Sequence, residues 1–228
     1  MKIAASFLFL PAAGLLLFAQ GTAPKAAAPK VPAAAVAAKP VAAAANKLMT
    51  PEALTEKAPA EYRAKFTTSK GGEFVIRVNR AWAPLAADRF YNLVKNGFYD
   101  NSAFHRVHPG FVAQFGLNAN PAIQAKWEKA RMKDEKVIKS NLLGWVGFAA
   151  DGADSRTTQV YINLKDNKSL DGQGFPPFGD VAKGIGVLAG VYSGYGDKPD
   201  QQRITKQGVA YLKRGFPLMD YVVKAVIE

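Results

Sequence analysis

The sequence contains no cysteine, and only two of its 228 residues are histidine. Without cysteine, the fold has no disulfide, no thiol nucleophile and no sulfur-ligated metal, so its stability must come from packing. His105 and His108 are too few to complete a zinc site. We expect no metal and no cofactor, with His105 hydrogen-bonded inside the fold and His108 in a solvated turn.

Acidic residues are also scarce, with 18 Asp and Glu against 30 Lys and Arg, a net charge of +12. Five of those lysines lie in residues 1–47, which hold no acid, leaving 25 basic and 18 acidic residues from Leu48 onward. There the two signs are mixed, as in residues 128–136, which indicates a solvated face rather than a track for phosphates. We expect no nucleic-acid partner.

A single long apolar run, Ile3 to Phe18, follows Lys2 at the N-terminus. It is short for a membrane span and typical of a signal peptide. The small residues Gly21 and Ala23 suit cleavage after Ala23, so we predict a signal peptide at residues 1–23. The mature protein is then exported, periplasmic or secreted, without stable membrane insertion; a retained N-terminal anchor is the alternative.

Residues 24–47 are rich in Ala, Pro and Lys and cannot build a core, so we predict a flexible linker. From residue 48 to residue 228 the chain is long enough for one domain. Alternation of apolar residues predicts a hairpin from Tyr62 to Val78 that turns at residues 69–72. Pro84 opens a predicted helix that Asn96 and Gly97 close.

Further short strands are predicted downstream, separated by loops rich in Gly, Asp, Asn and Pro. The predicted strands cover residues 111–115, 145–150, 160–164, 178–181 and 221–227. A second helix is predicted around residues 183–189, although three glycines weaken it. Many short strands with few helices favour a β-barrel.

The densest group of functional side chains is Phe104-His105-Arg106-Val107, followed by Pro109-Gly110-Phe111 and Gln114. This string resembles the central motif of the cyclophilins, a family of peptidyl-prolyl isomerases. Thr157 to Asn163 resembles the second motif of that family, and Leu170-Asp171-Gly172 with Phe178-Gly179 resembles the third. The three motifs occur in the family order, and the similarity spans Tyr62 to Glu228.

The resemblance implies a mainly β fold, a closed eight-stranded antiparallel barrel capped by two helices, with a peptide groove on its outer surface. It implies a monomeric enzyme that binds proline-containing polypeptide segments and speeds the rotation of X-Pro bonds in exported or unfolded proteins. Arg106 matches the catalytic arginine. The matching substrate-binding positions are Phe111, Val112, Gln114, Ala149, Ala150, Gln159, Tyr161 and Leu170.

The match has departures in the groove. Val112 stands where many members have methionine, and Ala150 where asparagine is common. Tyr161 replaces the usual phenylalanine, which adds a hydroxyl that needs a partner. The loop after Ser169 lacks the tryptophan and histidine of the best-known eukaryotic members, so we expect Phe175 to line the pocket and sensitivity to ciclosporin to be weak.

Two other functions remain open on the sequence. The altered groove is compatible with a non-catalytic cyclophilin-fold module that holds or chaperones proline-containing segments. A tethered envelope protein that acts through its basic linker is the second. Retention of Arg106, Phe111 and Gln114 favours the isomerase.

Overall fold

The computed structural model describes residues 47–228, so the predicted signal peptide and all but the last residue of the predicted linker lie outside the described residues. Eight strands form one antiparallel sheet in these residues. The strands are β1 (Glu61–Thr68), β2 (Glu73–Asn79), β3 (Arg106–Val107), β4 (Val112–Phe115), β5 (Trp145–Phe148), β6 (Val160–Asn163), β7 (Pro177–Lys183) and β8 (Val222–Ile227).

The predicted hairpin is confirmed in β1 and β2. Side chains of β1 alternate between buried and exposed, as expected for a strand with one face on a core. Phe66 pairs with Phe74 across the hairpin, and their rings stack with centroids 4.9 Å apart. Aromatic pairs of this kind stabilise a sheet beyond the apolar area that they bury.

The sheet runs in the order β3, β4, β6, β5, β7, β2, β1, β8 and curls until its two edges approach each other. Within residues 47–228, β3 and β8 share no ladder of hydrogen bonds. A single bridge, Ala103 with Tyr221, joins the segments just before them. The fold is thus a curled half-barrel, and the prediction of a closed barrel is too strong because β3 is only two residues long.

The predicted first helix is confirmed as α1 (Pro84–Lys95), which packs against β7 and β8. Asn96 is its C-cap, and Gly97 follows with φ of 72°. The Glu135 carboxylate accepts hydrogen bonds from the first free backbone amides, those of Leu85 and Ala86, at 2.7 and 2.9 Å. A carboxylate there also complements the positive end of the helix dipole.

The other helices are short. They are α2 (Pro121–Trp127), α3 (Ser169–Gly172), α4 (Ile185–Ala189), α5 (Gln201–Gln207) and α6 (Val209–Gly215), with a 3₁₀ turn at Pro51–Ala53. The second predicted helix is confirmed as α4, but it begins at Ile185, because Lys183 is the last residue of β7. Four helices, α2, α3, α5 and α6, were not predicted from the sequence, so the expectation of two capping helices undercounts the helical part.

Alternation along β4 and β6 separates the core from the outer face of the sheet. Ala113, Phe115 and Ile162 point inward and belong to the main core. Val112 and Tyr161 point outward and belong to a separate apolar cluster. In residues 47–228 we find no helix with both the length and the apolar character needed to cross a bilayer.

Candidate active site

One open cleft of about 550 Å³ lies on the outer face of the sheet. All ten side chains that the resemblance marks line it: Arg106, Phe111, Val112, Gln114, Ala149, Ala150, Gln159, Tyr161, Leu170 and Phe175. Asp151, Ser155, Thr157 and Gln201 complete the lining, and the sequence analysis missed these four. The fold therefore gathers the predicted site residues from separate strands and loops into one place.

Strand register sets the centre of the cleft. Arg106 of β3 pairs with Gln114 of β4. Gln114 pairs on its other side with Tyr161 of β6, which in turn pairs with Gly147 of β5. Directly paired residues project from the same face of a sheet. A slip of one residue in β4 would turn Gln114 into the core and dismantle this row.

One end of the cleft is apolar. Val112, Tyr161 and Leu170 form a buried cluster, with Phe111 and Phe175 packed against it. The Tyr161 and Phe175 rings meet edge to face, with centroids 6.0 Å apart. An apolar recess with a few polar groups at its rim suits a small apolar ring, which it can hold by burial.

Gly147 gives the Tyr161 side chain its room. A Cβ atom at position 147 would overlap the phenol hydroxyl and the ring carbons of Tyr161. The hydroxyl passes over this glycine and donates a hydrogen bond to Asn141 Oδ1 at 2.8 Å. The partner that the tyrosine requires is therefore Asn141, and burial raises the pKa of the hydroxyl above its ordinary value.

Asn141 lies under the apolar end and is fully buried. Its Oδ1 also accepts from Asn163, and its Nδ2 donates to Asp171 Oδ1 at 2.8 Å and to the Phe175 carbonyl at 2.9 Å. One amide side chain thus fixes Tyr161 and Phe175, two walls of the pocket. Sequence reasoning missed this support, because Asn141 lies outside the three motifs.

Arg106 stands at the polar end of the cleft. Its Nε donates to Asp197 Oδ1 at 2.6 Å, and its Nη1 donates to Gln114 Oε1 at 3.3 Å. The guanidinium carbon lies 5.6 Å from the centroid of the Phe111 ring, within cation–π distance. A charged, five-donor group is thereby placed beside the apolar recess.

Asp197 also corrects the expectation for His108. The His108 ring is half-buried rather than solvated, and its Nε2 lies 2.7 Å from Asp197 Oδ2. Together, His108 and Arg106 hold the pKa of the Asp197 carboxyl below its ordinary value. Asp197 is 91 residues from Arg106 along the chain, and no spacing rule connects the two.

A chain of hydrogen bonds leads from Arg106 to His105. Arginine can only donate, so Gln114 must present its oxygen to Arg106 and its amide nitrogen to Gln159 Oε1, at 2.8 Å. The same Gln159 oxygen lies 3.0 Å from His105 Nε2. His105 must therefore carry its proton on Nε2, which confirms the expected hydrogen-bonded histidine and assigns its tautomer.

Burial lowers the pKa of His105 from 6.5 to about 4. Its Nδ1 is buried and finds no hydrogen-bond partner among residues 47–228. Between these two pKa values the unfolded chain binds a proton that the folded chain does not. The free energy of unfolding therefore falls as the pH drops from about 6.5 to about 4, and this contribution is constant below that range.

We predict that protonation of His105 accounts for about 3 kcal/mol of the free energy of unfolding that is lost between pH 7 and pH 4. The comparison is between the single variant His108→Gln and the double variant His105→Gln with His108→Gln. His105 is then the only histidine present in the first and no histidine is present in the second. Urea unfolding at both pH values measures the difference, which should shrink by that amount on acidification. An unchanged difference would show that His105 is protonated inside the fold.

Metal-ligating side chains are scattered in the described part of the chain. No three His, Cys, Asp or Glu side chains among residues 47–228 gather into a group that could hold a metal ion. The cleft lining offers hydrogen-bonding groups, the positive charge of Arg106 and apolar surface.

Comparison with known proteins agrees with this geometry. The family model for cyclophilin type peptidyl-prolyl cis-trans isomerases matches residues 63–209. Peptidyl-prolyl cis-trans isomerase A of Dickeya dadantii is 32% identical over 149 residues, which cover 61% of this chain and 78% of the relative. Peptidyl-prolyl cis-trans isomerase B of Escherichia coli K12 is 34% identical over 127 residues, covering 51% and 76%.

Among solved structures, a cyclophilin type isomerase of Cryptosporidium parvum superposes with a TM-score of 0.55 at 19% identity, covering 74% of this chain and 98% of that one. This similarity supports the fold. The matched family model, the curated relatives and the cleft together confirm the resemblance: the chain belongs to the cyclophilin-type peptidyl-prolyl cis-trans isomerases.

Proposed function

We propose that the cleft accelerates cis-trans isomerisation of X-Pro bonds in exported or unfolded polypeptides, with Arg106 as the catalytic residue. The observation that carries this proposal is the position of the Arg106 guanidinium. It lies beside an apolar recess formed by Phe111, Val112, Tyr161, Leu170 and Phe175. A proline ring in the recess would bring its amide to the arginine.

The chemistry requires no bond to be broken. Rotation about a peptide bond costs about 18 to 20 kcal/mol because the twisted amide loses its resonance. The proline nitrogen then gains a lone pair, and a fixed donor can stabilise that state more than the planar ground state. A guanidinium is a permanently charged group that presents its donors in a rigid fork, which suits Arg106 to this role.

The surroundings strengthen that interaction. The apolar walls exclude water from the proline side of the cleft, so a hydrogen bond there is weakened less by solvent. Gln114 and Gln159 offer amide groups next to the arginine, suited to the backbone of a bound segment. Ala149 and Ala150 have short side chains, which leave space for the residues before the proline.

The proposed substrates are proline-containing segments of other proteins, bound by a monomer. The Cryptosporidium parvum isomerase was also solved in the presence of the dipeptide Ala-Pro.

Export is part of the proposal and rests on the run from Ile3 to Phe18 with the small residues Gly21 and Ala23. Sequencing the N-terminus of the mature protein checks export, which predicts a chain that starts at Pro24.

The direct test follows the cis-to-trans conversion of an Ala-Pro test peptide with catalytic amounts of the full chain. X-Pro bonds convert unaided in tens to hundreds of seconds, and we expect the protein to shorten this in proportion to its concentration. Folding is verified by circular dichroism on the same sample. Binding of the peptide by folded protein without any acceleration would reject the isomerase and support the holding module.

A further inference from the structure

Asp197 touches the proposed catalytic group and is absent from the lining of the cleft. It lies between α4 and α5, and its two carboxylate oxygens face Arg106 Nε and His108 Nε2 at 2.6 and 2.7 Å. The proposed chemistry gives it no direct part.

The contacts of Arg106 restrain the guanidinium from three sides. Asp197 binds Nε, Gln114 binds Nη1, and the Phe111 ring lies against the planar group. Among residues 47–228, no hydrogen-bond acceptor is found for Nη2. A long side chain loses rotamer freedom when it is fixed, and a group fixed before substrate arrives loses none of that freedom in the transition state.

The loop that carries Asp197 is itself held in place. Tyr195 packs on Tyr192 and on Phe216, with ring centroids 4.8 and 5.0 Å apart. The Lys198 amide donates to the Tyr195 carbonyl at 2.9 Å, which closes a turn around Asp197. The carboxylate is therefore presented from an anchored loop, as a positioning group must be.

Exposure decides which property Asp197 can influence. Its side chain is 64% exposed, and exposed ion pairs contribute little to folding stability. Orientation of a catalytic donor is more sensitive, because small displacements of reacting groups reduce rates strongly. A role in orienting Arg106 therefore predicts an effect on rate with almost none on unfolding.

We propose that Asp197 is a positioning residue that orients Arg106 toward the proline amide, and that His108 steadies the carboxylate by occupying its second oxygen. This inference rests on the proposed isomerase function. It assigns a part in catalysis to the loop between α4 and α5, which lies outside all three sequence motifs.

The test compares Asp197→Ala with Asp197→Asn in the full chain, using the Ala-Pro peptide. Asparagine keeps an oxygen that can accept from Nε, so we expect Asp197→Ala to lower kcat/KM about fivefold and Asp197→Asn to stay within about twofold of wild type. Asp180→Ala removes another arginine–aspartate pair, Arg77–Asp180, whose residues do not line the cleft, and is the control. It should leave kcat/KM unchanged.

A double-mutant cycle shows whether the effect passes through Arg106. Arg106→Ala with Asp197→Ala should be no slower than Arg106→Ala alone, since the group being oriented is gone. An additive loss, an Asp197→Ala variant as fast as wild type, or an asparagine variant as slow as the alanine variant would each overturn the inference. If the wild-type chain itself fails to accelerate the peptide, the proposed function falls first.

Discussion

Replacing Arg106 with alanine is expected to lower kcat/KM for an Ala-Pro peptide about a hundredfold, equivalent to roughly 2.7 kcal/mol of transition-state stabilisation. The variant loses the charged donor but keeps the apolar recess, so peptide binding should weaken much less than turnover. Protease-coupled or NMR exchange measurements of the peptide give the rate, and titration monitored by NMR gives the affinity.

Two further variants frame this result. Arg106→Lys keeps the charge and loses the rigid fork, so it should recover only part of the activity. Arg77→Ala removes an exposed arginine that also pairs through Nε with an aspartate, and it should remain fully active. An Arg106→Ala variant that is folded and keeps more than a third of the wild-type kcat/KM would contradict the assignment.

Replacing Asn141 with alanine is expected to lower the free energy of unfolding by about 4 kcal/mol. The substitution leaves the buried hydroxyl of Tyr161 and the buried amide nitrogen of Asn163 without their acceptor, and each unsatisfied buried group costs about 1 to 3 kcal/mol. The half-buried Phe175 carbonyl loses its donor as well. Asp171 also loses a donor. Chemical denaturation at pH 7 measures the loss.

Tyr161→Phe is the matched control for Asn141. It removes the hydroxyl, yet Asn141 Oδ1 still accepts from Asn163, so a loss of only about 1 kcal/mol is expected. If Asn141→Ala proves no more destabilising than Tyr161→Phe, the amide is not the support of the pocket wall. In conditions where Asn141→Ala stays folded, we also expect it to bind the peptide more weakly, because two walls of the pocket have lost their support.

The parts of the fold that the sequence predicted are those governed by local rules. The hairpin of β1 and β2 follows from alternation around a glycine turn, and α1 follows from Pro84 at its start and Gly97 beyond its end. The short helices α2, α3, α5 and α6 were missed because none has more than seven residues. α5 packs against both α2 and α6. That packing stabilises these three helices, and a local sequence pattern gives no sign of it.

Gly208 is an example of a tertiary contact that local sequence patterns do not reveal. It lies between α5 and α6 with φ of 59°, and a Cβ atom there would overlap the Ala119 carbonyl oxygen. The sequence around Gly208 supported no prediction for this position. Its actual role is to allow a close approach between segments that are far apart along the chain, a contact that only the folded chain reveals.

In the candidate site, too, the residues that were predicted differ from those that were missed in whether local sequence identifies them. Residues within the motifs were predicted at their positions because the resemblance carries them over one by one. Asp197 and Asn141 were missed because they act on motif residues from distant parts of the chain. Their hydrogen bonds to Arg106 and Tyr161 depend on tertiary geometry, for which composition and spacing hold no signal.

The alternation along β4 and β6 has a consequence for how this protein can diverge. Residues that line the cleft, such as Val112 and Tyr161, alternate with residues that build the core, such as Ala113 and Ile162. Selection on substrate preference and selection on foldability therefore act on alternate positions of the same strand. Variation in the peptide preference of this scaffold can accumulate on one side of the sheet while the other side stays constant.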